Sequence, residues 1–274
     1  MDRRTFLSLA GVWAGCPPVF GALPSRLVSH DRQIGALVVV ELDGGNDGLN
    51  TVIPLDDPRY RELRPTLAIA TRDALPIDRR TGLHPSLNAL MPAWRAGQLA
   101  IVQGVGYAMP NRSHFRSQQI WRTASRADEY RADDTTKVFR LTLHGFDTHA
   151  NQATRHAALL NQLASGLASL RAALTRSGDW NRTLVLTVSE FGRSARENAS
   201  GGTEHGAAAP HFLLGGSVLG GMYGEWPRLD ALDDDGALPA AIDFRRLYAT
   251  ALASCAGIES ACAPHVEPLP ILRS

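Results

Sequence analysis

The sequence predicts an α/β fold with a mainly parallel central sheet flanked by helices. Four apolar runs rich in β-branched residues recur, at 36–42 (ALVVVEL), 98–104 (QLAIVQG), 138–145 (VFRLTLHG) and 183–189 (TLVLTVS). Several are apolar at consecutive rather than alternate positions, the mark of strands covered on both faces. Segments with helical periodicity lie between them, and alternating strands and helices assemble into parallel sheets.

Each helix has its own signature. Residues 84–97 place Leu87, Leu90, Met91 and Trp94 on one face and stop at Gly97, a residue suited to the left-handed helix end. In 151–178, Leu159, Leu163, Leu167, Leu170 and Leu174 recur at helical spacing and Gly178 closes the segment. A helix is expected from Ser113 onwards, after Pro110 and Asn111, with Phe115, Ile120 and Trp121 on its buried side. A last one is expected over 241–257, after Pro239 and a loop at 230–239. The charged stretch 61–81, with two prolines, is expected as a surface excursion, and 125–137 as an exposed segment.

The first thirty residues are set apart from the fold. Arg3-Arg4, then Phe6-Leu7, then a short apolar stretch ending in small residues near Gly21-Ala22 follow the order of a twin-arginine export signal. The apolar part falls short of the roughly 20 residues that span a bilayer, so no permanent membrane span is expected. The expected partner of this segment is the twin-arginine translocase, and the expected location is periplasmic or secreted. Cys16 in WAGC is a candidate lipid-attachment site, with Trp13 where an aliphatic residue is usual. Residues 31–274 are expected to form a single domain, long enough for one sizeable core. A net charge of +1 argues against a nucleic-acid partner, which selects for a basic stripe. Cys255 and Cys262 either pair in an oxidising compartment or stay as small buried thiols.

The residues that follow the strands carry the chemistry. Ligands of open parallel sheets bind beyond the carboxyl ends of the strands. The four strands send Asp43, Ser113, Asp147, His149, Glu190 and, further along, His205 towards one edge. Carboxylates and imidazoles together suit a divalent ion such as Zn, Mn, Mg or Ca. Each motif also has a plainer account. GGNDG (44–48) suits a tight turn, Asp147 or Thr148 a helix cap, Glu190 with Arg193 a salt-bridged turn, and Ser113 a helix cap. Asp43, at the end of a strand this apolar, needs a partner or a cation to offset its lost hydration, and no Lys or Arg lies between it and Thr51. Gly44 and Gly45 are expected to leave room for a substrate's oxygens.

Taken together, VVELDGGNDGLNTVIP, NRSHFRSQQIW, GFDTHANQ, SEFGR, ENASGGTEHG and GGSVLGGMYGEWP resemble the bacterial family known as domain of unknown function 1501. That family is typically twin-arginine exported and grouped with the alkaline phosphatase and sulfatase superfamily. The resemblance implies an alkaline-phosphatase-like three-layer sandwich, here reduced in size. It also implies metal ligands at Asp43, Asp147, His149, Glu190 and His205, and a nucleophile at Ser113. Phe191 stands where the superfamily commonly has a His ligand, and the spacing from Asp147 to His149 is short. On this basis the chain is expected to be a metal-dependent hydrolase of a small phosphate or sulfate ester, with Asn46, Asn111 and Arg193 holding the anion. The alternative is a non-catalytic protein that holds an ion or a partner on the same scaffold.

Overall fold

The computed structural model of the chain describes residues 34–124, 139–253 and 266–273. The export segment with Cys16, the charged stretch 125–137, and Cys255 and Cys262 lie outside the described residues.

The chain opens with β1 (Ala36–Asp43), α1 (Gly48–Thr51), β2 (Val52–Pro54), α2 (Pro58–Leu63), β3 (Leu75–Pro76) and β4 (Thr81–Leu83). A 3-10 segment (Pro85–Leu90) runs into α3 (Met91–Arg95), then β5 (Leu99–Gly106), α4 (His114–Thr123), β6 (Phe139–His144) and α5 (Gln152–Ser177). The second half holds β7 (Thr183–Val188), β8 (Arg193–Glu197), β9 (Thr203–His205), β10 (Ala209–Leu214), β11 (Gly221–Tyr223), β12 (Ile242–Asp243) and α6 (Arg245–Ala253).

The central sheet has the order β11-β5-β10-β7-β1-β6, with β12 also paired to β5. It is mostly parallel. β1 lies between β7 and β6 and runs parallel to both, while β10 runs antiparallel to β5 and β7. β5, β7, β1 and β6 therefore all point the same way, and their carboxyl ends share one edge.

Burial explains the unbroken apolar runs. Val38, Val40 and Leu42 of β1 join one hydrophobic cluster, and Leu37 and Val39 join another. Leu99 and Ile101 of β5 divide from Ala100 and Val102 in the same way. Successive side chains of a strand point to opposite faces, so both faces of this sheet are covered. Leu160, Leu163, Leu167 and Leu174 of α5 cover one face together with Leu87, Leu90 and Met91. Ile120 and Trp121 of α4 and Phe244, Leu247 and Ala251 of α6 cover the other. The leucine stripe expected on the long helix thus meets the sheet, with Leu159 and Leu170 at its margin.

Three expectations are corrected. The stretch 61–81 is no surface excursion throughout. Arg64 is wholly buried against Asp47, and β3 and β4 join β2 in a small antiparallel sheet. Residues 84–97 start as a 3-10 segment rather than an α-helix, with prolines at 85 and 92 in the first positions of the two successive segments. The last helix begins at Arg245, because Ile242 and Asp243 extend alongside Val105 and Gly106.

Candidate metal centre

The carboxyl ends of β5, β6 and β7 deliver the polar residues. After β5 the chain runs to His114, the first residue of α4. After β6 it turns through Gly145 and Phe146 to Asp147 and His149, and after β7 it gives Glu190. His205 ends β9, which pairs with β8 so that His205 lies opposite Arg193.

Ligand atoms of His114, Asp147 and His205 lie within 4.8 Å of one another. His149 joins from one side, its Nε2 lying 2.9 Å from Asp147 Oδ1 and 3.0 Å from His205 Nε2. His205 Nε2 is 3.2 Å from the same oxygen, and His114 Nε2 faces Oδ2 at 3.6 Å.

The outer nitrogen of each ring fixes what its inner nitrogen offers. His205 Nδ1 donates to the carbonyl oxygen of Arg112 at 2.8 Å. His149 Nδ1 donates to Glu204 Oε2 at 3.0 Å, and His114 Nδ1 to Glu190 Oε1 at 2.8 Å. Carbonyl and carboxylate oxygens only accept, so the hydrogen of each neutral ring sits on Nδ1. Three Nε2 lone pairs then converge on a carboxylate that has only lone pairs of its own. The Arg193 guanidinium answers part of this charge, at Asp147 Oδ1 and 3.5 Å from His149 Nε2, and what remains suits protons on the rings or a metal ion. His114 Nε2 is buried and has no hydrogen-bond partner. Imidazoles anchored at Nδ1 by a carbonyl or carboxylate and open at Nε2 are the usual form of metal-binding histidines. The donor set fits a divalent ion of the zinc or manganese kind.

Arg193 anchors the centre from beneath. Its side chain is fully buried and donates to the carbonyls of Gly44, Gly45, Phe146 and Thr203 and to Asp147 Oδ1. Burial works to raise the Asp147 carboxyl. The hydrogen bond and charge of Arg193, joined by His205 when its ring carries a second proton, outweigh it and bring the group down to about 2. Phe191 packs its ring on His114 and His205, with centroids 4.9 and 4.6 Å away.

A second polar network, wholly buried, holds the loops in place. Asp47 pairs with Arg64 at 2.6 Å and accepts from Gln152 Nε2. Gln152 Oε1 accepts from Thr148 and Thr203, which flank the segments carrying Asp147, His149 and His205. His156 reaches Asn46 Oδ1 at 3.0 Å.

The residues expected from the sequence divide accordingly. Asp147, His149 and His205 come together. Asp43 and Glu190 stand outside the cluster. Asp43 is held by Gln118 at 2.5 Å and by His144 at 2.5 Å, so its partner comes from the neighbouring strand. Glu190 Oε1 accepts from Gly44 N and His114. The residues expected to hold an anion differ in what their side chains touch. Arg193 has no N–H left for an anion. Asn46 is buried and engaged by His156 and Thr51. Asn111 accepts from the Ser113 amide through Oδ1, which leaves the side-chain nitrogen, the donor an anion needs, outside that bond. Ser113 does stand at the start of α4, exposed, and its hydroxyl caps no amide. Asn151, not Asp147 or Thr148, is the cap of α5. The space beside Gly44 is filled by protein, since an added Cβ would meet Asp147 N at 2.1 Å, and beside Gly45 it would meet the Phe191 ring at 2.5 Å.

His114, Gln118 and Glu204 were not singled out from the sequence. His114 and Glu204 each adjoin a residue that was, and a histidine opening a helix beyond a strand end was the available signal.

Residues 123–256 match the family described as "Protein of unknown function (DUF1501)". The match supports the family resemblance and takes in Asp147, His149, Glu190, Arg193 and His205. No curated protein matches. Among solved structures, one match is the crystal structure of Ps i-CgsB in complex with k-i-k-neocarrahexaose. It is 12% identical, with 86% of this chain and 74% of that one covered and a TM-score of 0.28, a likeness that carries no argument.

Proposed function

We propose that this chain is an exported, divalent-metal-dependent hydrolase of phosphate or sulfate esters on an alkaline-phosphatase-like sandwich. The support is one observation above the others: three imidazoles, each anchored at Nδ1, turn their Nε2 atoms on Asp147 at the carboxyl edge of the sheet. Asp147, His205, His114 and His149 are the residues that would hold the ion. Bound there, a divalent ion supplies Lewis acidity to an ester oxygen and lowers the pKa of a neighbouring hydroxyl or water.

The chain's own residues do the rest. Glu190, Glu204 and the Arg112 carbonyl keep the three rings in one tautomer and orientation. Arg193 fixes Asp147 and ties the loops after β1 and β6 to β9. Ser113 is the candidate nucleophile, because it precedes His114 and its hydroxyl has no partner among the described residues. The twin-arginine order of residues 3–7 supports export.

One observation favours the second reading, a protein that holds an ion without turnover. Of the arginines that touch the cluster, Arg193 is engaged as above, and Arg112 gives both terminal nitrogens to Asp233 and Asp235 and keeps a buried Nε without a partner. An ester anion would therefore rest chiefly on the ion and on uncharged donors such as Asn111. The experiment is turnover of aryl phosphate and aryl sulfate esters by the zinc- or manganese-loaded chain, with and without chelator, against Ser113→Ala. Chelator-sensitive turnover that drops in the variant supports the hydrolase. A metal-loaded chain that turns over neither ester overturns it.

A further inference from the structure

We infer that the centre takes a single divalent ion, because the guanidinium of Arg193 already occupies the place where a second cation would lie against Asp147. This rests on the metal-centre reading above and concerns how many ions it admits.

A two-ion site needs a carboxylate to bridge ions about 3.5–4 Å apart and further ligands on the far side of the bridge. Asp147 is the carboxylate at the middle of this cluster. Its Oδ1 accepts from Arg193 Nη2 and faces His149 and His205, while its Oδ2 faces His114. The guanidinium cannot swing aside. It is fully buried, and its donors reach carbonyls on three separate segments: Gly44 and Gly45, Phe146, and Thr203. Arginine stays protonated in proteins, so this is a permanent positive charge fixed against the bridging carboxylate.

Of the other carboxylates at this edge, Asp43 is committed through both oxygens and Glu190 through one. Asp43 accepts from Gln118 and His144, one oxygen each. Glu190 Oε1 accepts from the Gly44 amide and His114. The lone pairs left facing one another are the Nε2 atoms of the three rings and the Asp147 carboxylate, a full set for one ion.

The test is manganese stoichiometry. The full chain is loaded with Mn²⁺, desalted, and its metal and protein measured together, with an electron paramagnetic resonance spectrum of the same sample. The expected result is one ion per chain and the hyperfine pattern of an isolated Mn²⁺. Two ions per chain, or the spectrum of a coupled pair, overturns the single-ion inference while leaving the metal centre standing. No bound ion overturns the metal centre itself. A folded Arg193→Gln chain is expected to take up manganese beyond one equivalent; holding at one means that Arg193 is not what excludes the second ion. Should that variant fail to fold, the spectrum of the unaltered chain still decides the ion count.

Discussion

The backbone of Gly44 runs so close to Asp147 that a methyl group added to Gly44 would lie 2.1 Å from the Asp147 amide nitrogen. Gly44 also sits at φ +119, a conformation that side chains rarely adopt. Gly44→Ala should therefore lose about 3 kcal/mol or more, combining backbone strain with overpacking against main chain that cannot yield. Urea unfolding of the variant against the unaltered chain measures this. A loss under about 1 kcal/mol would show that the loop after β6 gives way, and that Asp147 is less rigidly placed than its contacts imply.

Arg64 and Asp47 form an ion pair with both side chains wholly buried. Arg64→Met leaves the Asp47 carboxylate without its cation and should lower stability by about 3–5 kcal/mol. Arg64→Met combined with Asp47→Leu should lie closer to the unaltered chain than Arg64→Met alone, since no buried charge is then left unpaired. Unfolding curves of the two variants test the pair, and additive losses would mean that the two residues act separately.

Burial depresses His156 and His211 to about 4, below the ordinary histidine value of 6.5. Both rings fold neutral, whereas the unfolded chain takes up protons on them below about 6.5. Their contribution is complete above pH 6.5 and is lost as pH falls from there through about 4. Thermal midpoints recorded between those limits should decline with acidification. His156→Gln, which can still donate to Asn46, should flatten part of the decline. A slope unchanged by that substitution would assign the acid sensitivity elsewhere.

The sheet was legible because its strands are covered on both faces, which leaves an unbroken apolar run that no surface element shows. Asp147, His149 and His205 were legible because they follow strand ends. Asp43 misled for a definite reason. Its partner, His144, lies directly across the parallel pairing of β1 and β6, some hundred residues away in sequence. No local pattern announces a cross-strand neighbour. Arg193 was expected to hold an anion, but its burial was hidden. The five groups that surround it come from two loops and the strand β9, whose meeting depends on the finished sheet. Arg64 was misplaced likewise, since a charged stretch reads as surface until its counter-ion is known.

β1 is the first strand of the described chain, yet both of its neighbours come far later: Ala36 pairs with Thr183, and Val38 with Phe139. As the chain leaves the ribosome, β1 must therefore wait, apolar on both sides, until well over half of the protein has been made. Closing loops of that length is slow, and an unpaired strand of this kind is the natural target of aggregation or of a chaperone. The ligand atoms inherit the delay. Glu190 follows β7 and His205 comes later still, so on the metal-centre reading proposed above any ion would enter among the last events of folding rather than seed it.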